Sequence, residues 1–73
     1  MEIYQQIYGN SVVHLFEIGQ DFIDIQFYDS QKIYRFSYAR AGRDHVTKLK
    51  KFANCGDLLD EYIRYFVFDL YDN

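Results

Sequence analysis

The sequence predicts an α+β domain: a three-stranded antiparallel β-meander followed by two C-terminal helices packed on one face of the sheet. Three observations lead there. Apolar residues alternate with period two as far as Tyr38, the period turns helical after Gly42, and the four glycines, at 9, 19, 42 and 56, fall where the pattern changes. The 73 residues make one domain, 1–73.

The first two strands come from Val12 to Ile18 and from Phe22 to Tyr28, which flank Gly19-Gln20-Asp21. A short glycine-containing turn between β-branched and aromatic runs is a hairpin signal. With Gly19-Gln20 as a two-residue loop, Phe16 faces Ile23, His14 faces Ile25 and Val12 faces Phe27. Ile23, Ile25 and Phe27 then share one face, with Asp24, Gln26 and Tyr28 on the other. Asp29-Ser30-Gln31-Lys32 is a polar turn, and Ile33 to Tyr38 resumes the alternation. A four-residue loop sets Tyr34, Phe36 and Tyr38 opposite Phe27, Ile25 and Ile23. Residues 1–10, through Ile3, Tyr4, Ile7 and Tyr8, either add an edge strand or lie irregularly on the core.

Val46, Leu49 and Ala53, with Phe52 at the margin, form one helical stripe from Arg43 to about Asn54. Gly56 suits the left-handed position that ends a helix. Asp57 is then the expected cap of a second helix, with Asp60 and Glu61 favoured by the dipole of its first turn. Leu59, Tyr62, Ile63, Phe66 and Leu70 form the core stripe of that helix.

So small a chain buries only about 60% of its unfolded surface, and its core must therefore be dense. The composition answers with 49% hydrophobic residues, including eight Tyr and seven Phe. Cys55 is the single cysteine, which rules out an internal disulfide and points to a reducing, cytoplasmic setting. The opening Met1-Glu2-Ile3-Tyr4-Gln5-Gln6 has no signal-peptide pattern, and no apolar run approaches a membrane span. The net charge is −3, but residues 32–51 hold seven of the eight basic side chains.

The strand Ile33-Tyr34-Arg35-Phe36-Ser37-Tyr38, set between a meander and a helical C-terminus, carries an aromatic-x-aromatic motif twice. In this the chain resembles the KTSC domain over roughly residues 10–66. That small module occurs at the C-terminus of some lysyl-tRNA synthetases and as stand-alone bacterial proteins. The proline often found after the motif strand is replaced here by Ala39-Arg40-Ala41-Gly42. The resemblance implies the meander-and-helices fold; for function it implies no activity and only a suggestion of RNA binding.

Catalysis has little to rest on. Cys55 falls at a helix C-terminus, where the dipole disfavours a thiolate, so a buried or inert thiol is expected. His14 is expected on the inward face. The acids Asp21, Asp24 and Asp29, and Asp57, Asp60 and Glu61, lack the alternation of a calcium loop and have no His or Cys beside them at zinc-ligand spacing. Arg43-Asp44-His45 is three polar residues at a helix start, and the glycines are too scattered for a phosphate loop. No enzyme, cofactor, metal or small-molecule substrate is expected.

Two surfaces suit binding instead. Leu58, Tyr65 and Phe68 lie off the stripe of the second helix, and Val67 and Tyr71 widen it further. Surface helices keep polar residues there, so these side chains are expected to form a partner surface, most simply a homodimer interface. The alternative is RNA binding by Arg35, Arg40, Arg43, Lys48, Lys50 and Lys51 beside exposed aromatics, against an acidic overall balance.

Overall fold

The structure, a computed structural model, describes residues 1–6 and 11–72. The described residues form a four-stranded antiparallel sheet in the order β1-β2-β3-β4, with β1 Glu2–Ile3, β2 Val13–Ile18, β3 Phe22–Phe27 and β4 Ile33–Ser37. The three-stranded expectation is thus corrected by one strand. β1 adds to the edge through Glu2 opposite Phe16 and Ile3 opposite Leu15, and the Tyr4 amide donates to the His14 carbonyl at 2.9 Å. Ile7 and Tyr8 lie outside the described residues.

The first turn closes one residue later than expected, at Gln20-Asp21, where the Gly19 amide donates to the Phe22 carbonyl; the last pair of the second hairpin is Gln26 with Ile33, and each register moves by two. Phe16 pairs with Ile25 and Ile18 with Ile23, while Ile23 pairs with Phe36 and Ile25 with Tyr34. An even shift keeps every side chain on its face. The inward set therefore holds: Phe16, Ile23, Ile25 and Phe36 are buried. At Gly19 in the first turn the Phe22 ring lies where a Cβ would stand, so a larger residue there would have to displace that ring. His14 and Val12 are the exceptions. A β-bulge between Val13 and Leu15 takes His14 out of alternation, so it does not face Ile25 but stacks on Tyr28 with centroids 4.4 Å apart, and Val13, fully buried, pairs with Phe27 in place of Val12, which is exposed.

Helix α1 (Arg43–Cys55) lays Val46, Leu49 and Ala53 on the inner face, as its stripe predicts. Gly56, left-handed at φ 75°, ends it by donating its amide to the Phe52 carbonyl. Helix α2 (Leu59–Tyr62) runs directly into a wider π-helical stretch, Ile63–Val67. Leu59, Ile63 and Val67, four apart, complete the core. A regular α-helix drifts about 40° over each four residues; the wider turn holds this row over the sheet. The price is a swap: Val67 is buried and Phe66, expected in the core, is exposed.

Asp57 does not cap α2, whose start has no side-chain cap. Its neighbour Asp60 instead reaches back to β2, accepting from the Ser11 hydroxyl and, at 2.7 Å, from the Val12 amide. Beyond the helix the chain returns to β4. The Asp72 amide donates to the Arg35 carbonyl at 2.7 Å, and the Asp72 carboxylate accepts from the Ser37 amide and hydroxyl. Two outward polar groups of the edge strand, the Arg35 carbonyl and the Ser37 amide, are thereby occupied.

Candidate functional site

The ends of the two helices build an apolar groove. Between Gly56 and Leu59 the chain needs a second left-handed residue, and Leu58 supplies it at φ 69°. A left-handed conformation costs a non-glycine residue about 1–2 kcal/mol. Buried Leu59 on one side and the Tyr62 amide, bonded to the Leu58 carbonyl at 3.0 Å, hold it there. The result places the Leu58 side chain at the rim of a groove of about 200 Å³, lined by Phe52, Leu58, Glu61, Tyr62, Tyr65 and Phe66.

Tyr62 is the fixed wall of that groove. Its ring lies between those of Phe52, at 5.4 Å, and Phe66, at 4.8 Å. Its hydroxyl shares a 2.7 Å hydrogen bond with His45 Nδ1 from the first turn of α1. Burial, and then the charge of Asp44, push the Tyr62 pKa up, so the phenol is neutral at ordinary pH. Tyr65, Phe66 and Phe68 are 68%, 58% and 67% exposed and Leu58 is 51% exposed.

Three of the four interface residues expected from sequence are therefore on the surface: Leu58, Tyr65 and Phe68. Tyr71 is not available. It folds onto β4, edge-on to Tyr34 at 4.9 Å and Phe36 at 6.4 Å, with Lys32 Nζ 4.8 Å above its ring. Phe66 takes its place, and periodicity alone gave no sign of this because the π-helical turn changes the period.

The basic window does not form one surface. Arg35 stands on the open face of the sheet, paired bidentately with buried Asp24 at 2.8 and 3.0 Å and stacked over Phe22 at 3.8 Å. That pairing raises the Arg35 pKa further. Across the sheet, Arg43 and Lys50 lie over Tyr38 at 5.7 and 5.0 Å, and Lys50 also donates to the Gln20 carbonyl. Arg40, Lys48 and Lys51 are exposed. Cys55, expected to be buried or inert, is exposed.

Under α2, Tyr4 is buried with its pKa pushed up to about 12. Burial is the main cause; a backbone hydrogen bond from Leu59 opposes it, and Asp60, Asp57 and Glu61 add to it. Among the described residues no group of three or more His, Cys, Asp or Glu is placed to hold a metal ion, and no helix is long and apolar enough to cross a membrane. No protein-family model matches the chain, and neither a curated protein nor a solved structure matches it.

Proposed function

We propose that this domain is a non-catalytic binding module that self-associates through α2 and its π-helical extension, in a cytoplasmic setting. The observation that carries the proposal is the row of exposed Leu58, Tyr65 and Phe66 around the groove against Phe52 and Tyr62, with Phe68 exposed beyond it. Aromatic side chains offer about 150–250 Å² each, so three at roughly two-thirds exposure present on the order of 400 Å² before Leu58 is added. That matches the largest patch of a typical monomer, about 300–600 Å², and is half of the roughly 800 Å² a partner contributes to a standard interface. One helix laid on its copy covers both patches at once and extends the burial that so short a chain lacks. Kinship with the KTSC module remains part of the proposal, supported by the Tyr34-Arg35-Phe36 strand within a meander followed by helices.

Light scattering across a concentration series is the test. Wild type is expected as a dimer, and Tyr65→Asp and Phe66→Asp as folded monomers. A wild type that stays monomeric to millimolar concentration overturns the proposal. RNA binding is the competing proposal, weakened by Arg35, Arg43 and Lys50 being occupied by Asp24, Phe22 and Tyr38. It is revived if a single-stranded RNA binds with a steep salt dependence that Lys48→Ala and Lys51→Ala reduce.

A further inference from the structure

We infer that the second copy docks antiparallel, about a two-fold axis passing near Tyr62 and Ile63, with Glu61 of each copy against Arg64 of the other. This rests on the self-association proposed above and specifies its partner and geometry. Glu61 and Arg64 are both exposed, one turn apart, and both border a cavity of about 510 Å³ on the side of α2 that faces Ser11 and Val12. Glu61 also lines the apolar groove. Neither side chain has an ion pair among the described residues, although Asp24 and Arg35 show how readily this fold completes one.

A two-fold axis allows two aligned packings of a helix on its copy, parallel and antiparallel. Parallel pairing sets Glu61 beside Glu61 and Arg64 beside Arg64, with the two helix dipoles aligned. Each of these terms is repulsive. Antiparallel pairing opposes the dipoles. An axis midway between residues 61 and 64 brings each carboxylate level with the other copy's guanidinium. Opposite charges thus meet in the middle of the contact. Because the contact is isologous, any single substitution is felt twice.

A charge-reversal mixing experiment tests this by sedimentation at low salt. Glu61→Arg and Arg64→Glu, each alone, are expected to weaken the dimer at least tenfold, since each turns two attractive contacts into repulsive ones. Mixed in equal amounts, the two variants set two basic side chains at 61 and 64 against two acidic ones and should recover a heterodimer of near wild-type affinity. Both positions are exposed, and circular dichroism confirms that each variant folds. A wild-type dimer that Tyr65→Asp abolishes, but whose charge variants gain nothing from mixing, overturns the antiparallel geometry and leaves self-association standing. A monomeric wild type overturns both.

Discussion

The Asp72 carboxylate accepts from both the amide and the hydroxyl of Ser37, at 3.2 and 2.8 Å, while the Asp72 amide donates to the neighbouring Arg35 carbonyl. One residue thus closes the outer edge of β4. The contact belongs to tertiary structure, since 35 residues separate the two side chains. Asp72→Ala is expected to destabilise the domain by about 1 kcal/mol, the usual net value of such hydrogen bonds. Amide hydrogen exchange at Ser37 should quicken more than exchange in β3. Unchanged protection at Ser37 would show that the tail does not cover the edge.

The π-helical turn makes a paired prediction at adjacent residues. Val67→Ala removes fully buried methyl groups and is expected to cost about 1–2 kcal/mol. Phe66→Ala, although the larger truncation, should fall within about 0.5 kcal/mol of wild type at concentrations where the protein is monomeric. Denaturant melts of the two variants check the register. The opposite ranking would mean a regular α-helix with Phe66 inside.

Leu58→Gly should separate stability from association. Glycine carries no left-handed penalty, and that relief of about 1–2 kcal/mol offsets both the added unfolded-state entropy and the lost burial of half a leucine, so a stability within about 0.5 kcal/mol of wild type is expected. The dimer should weaken at the same time, because the rim of the groove is lost. A variant less stable than wild type by about 2 kcal/mol, the value for lost burial and entropy alone, would count against strain at this position.

Asp60 ties α2 to the start of β2. Asp60→Ala leaves the Val12 amide and the Ser11 hydroxyl without their acceptor, for an expected loss of about 1–2 kcal/mol. Thermal melts measure it; a loss no larger than that of Asp69→Ala, at an exposed site, would deny the tether its role.

Tyr4 sets an alkaline limit. Its folded pKa of about 12 lies above the ordinary tyrosine value of 10.0, so the proton is held more tightly in the folded state. Below pH 10 both states are protonated and the stability is intact; as pH rises from 10 to 12 the unfolded state ionises first and stability falls. Tyr62, also shifted upward, acts in the same direction. Tyr4→Phe should flatten the decline between pH 10 and 12, read from the melting temperature across that range. An unchanged slope would place its cause elsewhere.

Local pattern determined the α+β class, the inward row of Phe16, Ile23, Ile25 and Phe36, the α1 stripe of Val46, Leu49 and Ala53, and the stop at Gly56. These follow from side-chain periods of two and 3.6, and the strand faces withstood a register shift because the shift was even. Surface placement of Leu58, Tyr65 and Phe68 was legible for the same reason. Tertiary structure decided what the period does not encode. The bulge at His14, the exchange of Val67 for Phe66, the tether from Asp60 at a helix start that Asp57 does not cap, and the folding of Tyr71 and Asp72 onto β4 all depend on partners distant in sequence. A local pattern states which side of its own element a residue occupies. Only the packed chain determines which neighbour is there to meet it.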